Sequence, residues 1–226
     1  MVCLCYISVY EVIFLFDFKG AIFDMDGTLL DSMSLWNEID VEFLSKRGFD
    51  VPYDYMSSIA HLGAMDTALY TINRFKLSDT PESLIEEWKN LALKKYKNVP
   101  EKNGASEYIR HLKSKGIKIA VATATEPSLV EAALSKRDFY NSIDAIVTVS
   151  EVKRGKGFPD IYLKACEKLG LSEKECVVFE DIVMGIKGAK AGGFKTIAVY
   201  DECSEKSKDE LKKLADRYIY DFFEMI

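Results

Sequence analysis

After residue 18 the chain falls into short apolar runs that alternate with segments of helical spacing, and this rhythm leaves few folds open. "AIF" at 21–23 is followed by "IKIAVAT" at 117–123, "DAIVTV" at 144–149, "CVVFED" at 176–181 and "KTIAVY" at 195–200. Each run is rich in β-branched or aromatic residues and ends on polar ones, as a strand buried on both faces does. Between them, residues 105–115 place Tyr108, Ile109 and Leu112 on one side and close at Gly116, a helix-ending residue. Pro127 suits the first position of a helix over 128–137, and Pro159-Asp160 opens one that runs to Leu169 and stops at Gly170. A shorter helix over 185–190 precedes Gly192-Gly193. Strands alternating with helices predict an α/β fold with a mainly parallel sheet covered on both faces.

Residues 33–102 break the rhythm. Here the spacing is helical only, over 35–47, 65–75 and 81–96, with no strand between. An all-helical block placed just after the first strand reads as a small second domain that returns to the sheet near 100–104. The predicted division is therefore an α/β core of 19–32 and 103–226, a helical domain of 33–102, and an N-terminal extension of 1–18. That extension, "MVCLCYISVYEVIFLF" and its flank, is almost wholly apolar but lacks the basic start of a secretory signal. It is short for a membrane span and carries Glu11 and Asp17. An extra edge strand, a docking segment and translated sequence upstream of the natural start are its three readings, each preferred to a membrane anchor. The Lys/Glu-rich stretch 204–216 reads as a solvated helix face.

A chain of 226 residues can hold one sizeable core plus an insertion. Its net charge of −6 argues against a nucleic-acid partner, which calls for a basic face. Five scattered cysteines (Cys3, Cys5, Cys166, Cys176, Cys203) do not form a disulfide framework and point to reduced thiols in the cytoplasm.

The chemistry gathers where the strands end, as ligands in parallel sheets sit beyond the carboxyl edge. The first strand runs into Asp24-Met25-Asp26-Gly27-Thr28. Residues two apart on an extended segment face one way, so Asp24 and Asp26 are expected to share a small site. Like charges that close call for a cation or a proton between them. The pair suits an Mg²⁺ site in which one carboxylate attacks phosphorus and the other moves a proton. Taken alone, the tetrapeptide also fits a polar turn. Thr123-Ala124-Thr125 offers hydroxyls and amides to phosphate oxygens just before a helix. Lys156, in a loop flanked by Gly155 and Gly157, can neutralise a phosphoryl group. Glu180-Asp181 supplies hard oxygen ligands, although Asp181 is also placed to cap a helix.

In this order, "DMDGT", Thr123, Lys156 and Glu180-Asp181 resemble the four motifs of the haloacid dehalogenase superfamily of hydrolases, over about residues 19–220. The likeness extends to the β-phosphoglucomutase-like phosphatases. It implies a Rossmann-like doubly wound parallel sheet core with an inserted all-helical cap domain. It also implies Asp24 as nucleophile and Asp26 as acid/base. Thr123 and Lys156, helped by Thr125, would bind phosphate, and Asp24, Asp26, Glu180 and Asp181 would form an Mg²⁺ site. Gly157 stands where the family often has proline. Trp36 stands where the sugar phosphomutases carry histidine, and no cap arginine for a second phosphate is evident near 61–66. The chain therefore reads as a cytoplasmic phosphatase, monomeric or dimeric, acting on a small phosphorylated metabolite such as a sugar phosphate, with no nucleic-acid or membrane partner. A sugar phosphomutase and a non-catalytic phosphometabolite binder are the alternatives. Candidate cap contacts are Trp36, Arg47, His61 and Arg74.

Overall fold

The apolar runs become six parallel strands in the order β3-β2-β1-β4-β5-β6, as seen in a computed structural model that describes residues 17–226. The strands are β1 (Gly20–Phe23), β2 (Lys118–Thr123), β3 (Ala145–Thr148), β4 (Cys176–Glu180), β5 (Lys195–Val199) and β6 (Arg217–Ile219). The apolar N-terminal segment through residue 16, with Cys3 and Cys5, lies outside the described residues. The two faces of β1 explain its unbroken hydrophobicity. Ala21 and Phe23 join one core cluster, which includes Val177 and Phe179, while Ile22 joins the other with Val178. On the first face Phe23 stacks on Phe179 with ring centroids 4.4 Å apart, and Tyr108 and Phe222 cover the pair. On the second face Tyr162 packs against Phe194.

Register decides what the strand ends present. Phe23 is level with Val121 of β2 and Phe179 of β4, and the amide of Asp24 donates to the Phe179 carbonyl at 2.9 Å. Asp24 thus emerges between the two strands from which the chain order diverges in opposite directions, where the crevice of such a sheet opens.

Between β1 and β2 lie only helices: α1 (Met33–Ser45), α2 (Tyr55–Ile59), α3 (Ala64–Phe75), α4 (Pro81–Lys95), then α5 (Ala105–Ser114), which returns to the sheet. Ile39 and Phe43 of α1 and Leu84, Trp88 and Leu91 of α4 recur at three- and four-residue spacing and bury one face of each helix. Thr80 begins α4 through a reciprocal capping box with Ser83, and Pro81 fills its first position. The two linkers to this insertion pair with each other. Asp31 N donates to Pro100 O and Lys102 N to Leu29 O, both at 2.9 Å.

The remaining helices are α6 (Pro127–Leu134), α7 (Asp160–Leu169), α8 (Val183–Ala191) and α9 (Lys208–Leu214). Helix α6 stops three residues short of its predicted end. The Lys/Glu-rich stretch forms α9, which keeps most side chains in water but buries Leu211 beside Ile186 of α8. No helix among the described residues is long and apolar enough to cross a membrane.

Candidate active site

The acidic motif folds as it does because β1 ends at Phe23 and the chain turns at once. Leu29 N and Leu30 N both donate to Met25 O, and Gly27 N donates to Leu30 O. Gly27 takes φ +81°, and a Cβ there would collide with Asp181 Oδ2. Glycine therefore serves both the turn and the close approach of a carboxylate.

Asp24 is buried and meets Lys156 Nζ in an ion pair. The same ammonium lies 2.8 Å from Glu180 Oε1, which also accepts from Tyr162 OH at 2.8 Å. Glu180 Oε2 and Asp181 Oδ2 are buried without a hydrogen-bond partner, and Asp181 Oδ1 accepts a long bond from Thr28 at 3.4 Å. Helix α8 is preceded by Ile182, so Asp181 does not cap it and is left to face the cluster. Gly185, one turn into α8, admits the Glu180 carboxylate where any Cβ would overlap it.

Among the described residues, ligand atoms of Asp24, Glu180 and Asp181 lie within 4.8 Å of one another. Three carboxylates against one ammonium leave two negative charges in excess. Burial pushes the Asp24 carboxyl up to about 8, with Lys156 opposing and Glu180 adding to the rise. Burial also holds Asp181 well above the ordinary carboxylate range, reinforced by Asp24 and Glu180. Burial works against the charge of Lys156, yet Asp24 and Glu180 more than restore it and keep the amine above an ordinary lysine. A pair of orphaned, buried carboxylate oxygens beside a two-charge excess fits a small divalent cation bound by hard oxygen donors.

Asp26 lies apart from that cluster. Its Oδ1 accepts from Ser32 Oγ at 2.6 Å and from Tyr96 OH, and its Oδ2 accepts from Thr125 Oγ1 at 2.6 Å. Tyr96 OH in turn accepts from Trp36 Nε1 at 2.8 Å. The two-residue period that would aim both acids alike ends with β1, so Asp24 and Asp26 line one cavity while their carboxylates hold different partners. Thr123 Oγ1 accepts from Thr125 N at 3.1 Å, and both threonines line that cavity with Ala124 and Lys156.

The cavity holds about 160 Å³ and is walled on its far side by the helical insertion. Trp36 lines it; Arg47 and Arg74 do not. Arg47 pairs with Asp79 and Glu87, both at 2.8 Å, and Arg74 pairs with Asp54 at 2.6 Å. His61 touches the Lys156 loop through its main chain, its carbonyl accepting from Lys156 N at 3.3 Å. Ser32, Tyr96 and Tyr162, which hold the acids, were missed by the sequence reading. A hydroxyl on a helix end carries no spacing signal that would reveal it.

The chain belongs to the haloacid dehalogenase-like hydrolases, whose family model matches residues 21–199. It is 32% identical over 194 residues to the Arabidopsis thaliana chloroplastic protein SUPPRESSOR OF QUENCHING 1, covering 83% of this chain but 18% of that protein. It is 30% identical over 183 residues to a phosphorylated carbohydrates phosphatase of Thermotoga maritima, covering 79% of this chain and 83% of the relative. The fold superposes on CbbY from Rhodobacter sphaeroides, crystallised with phosphate, with a TM-score of 0.79 at 22% identity over 91% and 95% of the two chains.

Proposed function

We propose that this protein is a phosphomonoester hydrolase that acts on a small phosphorylated metabolite through a phosphorylated Asp24, with residues 33–102 serving as its cap. The observation that carries this reading is the gathering of Asp24, Lys156, Glu180 and Asp181 from three separate stretches of chain, with Asp24, Lys156 and Asp181 lining one small cavity and Glu180 buried behind Lys156. The carbohydrate-phosphate specificity in the name of the Thermotoga relative supports a sugar phosphate or a similar ester. Reduced cysteines and the acidic charge fit a cytoplasmic enzyme.

In this scheme an Asp24 oxygen attacks phosphorus in line, and the bond to the alcohol oxygen breaks. Asp26 protonates the departing alkoxide, then takes a proton from the water that cleaves the aspartyl-phosphate and frees inorganic phosphate. Lys156 and Thr123, with Thr125 nearby, hold the phosphoryl oxygens. Asp24, Glu180 and Asp181, joined by the Asp26 main-chain carbonyl, would hold Mg²⁺, which when bound neutralises charge on the acids and on the transferring group. Burial of the cluster keeps bulk water from competing with the phosphate for Lys156. Hydrolysis is favoured over a mutase reaction because Arg47 and Arg74 are each tied to acids outside the cavity, leaving neither to clamp a second phosphate.

Asp24→Asn, assayed for p-nitrophenyl phosphate turnover with Mg²⁺, should lose activity by at least about a thousandfold while keeping its fold. EDTA should silence the native enzyme and Mg²⁺ restore it. Near-native turnover by the folded variant would remove Asp24 from its role.

A further inference from the structure

One face of α1 runs along the cavity, where Met33, Trp36 and Asp40, three and four residues apart, all line it. Ser32, just before the helix, bonds Asp26 at 2.6 Å. Asp40 therefore stands roughly 12 Å of helix axis, about two turns, beyond the end that holds Asp26.

The other acids of the lining are all occupied. Asp24 pairs with Lys156, and Asp26 accepts from Ser32, Tyr96 and Thr125. Asp181 accepts from Thr28 and belongs to the cluster with Asp24 and Glu180. Glu126 accepts from Ser128 at the start of α6 and faces Lys89 at 3.7 Å. Asp40 differs from all of them. It is 5% exposed, accepts no hydrogen bond and forms no ion pair among the described residues, yet its carboxyl oxygens are not sealed from the cavity. Burial alone pushes its carboxyl up to about 7. The neighbouring Tyr55 cannot serve it, because Thr71 gives its own proton to Thr67 O and takes that of Tyr55 OH at 2.7 Å. Met56, Ile59 and Ile85 of the same lining offer no donor.

We propose that Asp40 receives the protonated primary amine of the substrate, which makes the substrate class a monophosphate of an amino alcohol. A neutral donor would satisfy one carboxylate oxygen but leave a buried charge without a counter-charge. An ammonium does both, through hydrogen bonds about twice as strong as neutral ones. Both lysines of the lining already face acids, so the cation that Asp40 lacks must come with the ligand. This rests on the phosphatase reading and narrows it.

The test measures ω-aminoalkyl phosphates of two to six carbons as inhibitors of p-nitrophenyl phosphate turnover, each against the esters of equal length that end in hydroxyl or methyl. At the best length the amine should bind at least about tenfold more tightly than either counterpart. Asp40→Asn should cut that preference to about twofold or less, and Asp40→Glu should move the best length to a shorter chain. Should Asp40→Asn fail to fold, the length shift in Asp40→Glu decides. No amine preference at any length, or a preference that survives in the folded Asn variant, would overturn the assignment; the latter would place the ammonium against the acids of the phosphate end. Absence of p-nitrophenyl phosphate turnover by the native enzyme would instead overturn the phosphatase reading, and this inference with it.

Discussion

Tyr96 shows how one side chain can link distant parts of this site. Its hydroxyl reaches Asp26 from the far end of the helical insertion, and Trp36 donates to it in turn. Tyr96→Phe deletes one of three hydroxyl donors that fix the Asp26 carboxylate. If Asp26 delivers the proton to the leaving group, the loss should fall on poor leaving groups. Turnover of an alkyl phosphate should drop roughly tenfold more than that of p-nitrophenyl phosphate, whose phenolate departs without help. Equal losses on both would make Tyr96 merely structural. Asp40 carries a stability signature of its own. Its folded carboxyl titrates near 7, above its unfolded value, because burial disfavours the charge. A raised acid binds its proton more tightly in the folded state, so stability is lost as pH climbs from the unfolded value through about 7, then levels off. Asp40→Asn removes that loss. Urea unfolding of both proteins from pH 5 to 8 should show the variant gaining on the native chain as pH rises, by about 2.5 kcal/mol across this window. A constant difference would show that Asp40 does not titrate in this window.

The two linkers that tie the insertion to the sheet form a short antiparallel ribbon, and a single lysine anchors it. Lys102 Nζ lies 3.0 Å from Asp201, which is buried just after β5, and 3.9 Å from Asp31 on the opposite linker. Asp201 also accepts from Cys203 N, so its charge is spread but not replaced. Lys102→Gln should destabilise the fold by about 3 kcal/mol, because it leaves a buried carboxylate without its cation. Chemical denaturation checks this, and a cost under about 0.5 kcal/mol would class the pair with ordinary surface bridges. The elements themselves were legible to different degrees. The runs ending at Asp24, Thr123 and Glu180 announced β1, β2 and β4 because burial on both faces demands continuous apolar sequence. Strand β6 has three residues and only Ile219 buried, too little pattern to register. Helix α2 likewise has five residues and buries Tyr55 alone.

At the scale of the whole molecule, the acid cluster makes stability depend on a ligand. Ionising all three buried acids would leave two excess negative charges, which protons on Asp24 and Asp181 relieve in the free protein and a cation bound only by the folded state would relieve in their place. Mg²⁺ at 100 times its dissociation constant should stabilise the metal-free protein by about 2.7 kcal/mol, a rise in melting temperature of roughly 5–10 °C. Asp181→Ala should abolish the rise; an undiminished rise would place the ion elsewhere. Read without coordinates, the chain already declared its strand–helix alternation, the helical interruption and the acids, threonine and lysine at the strand ends, since periodicity and turn chemistry are local properties. Which of those acids lie together was decided by packing. Register sets Asp24 beside Glu180, the glycine at 27 admits Asp181, and the turn after Phe23 hands Asp26 to Ser32, Tyr96 and Thr125.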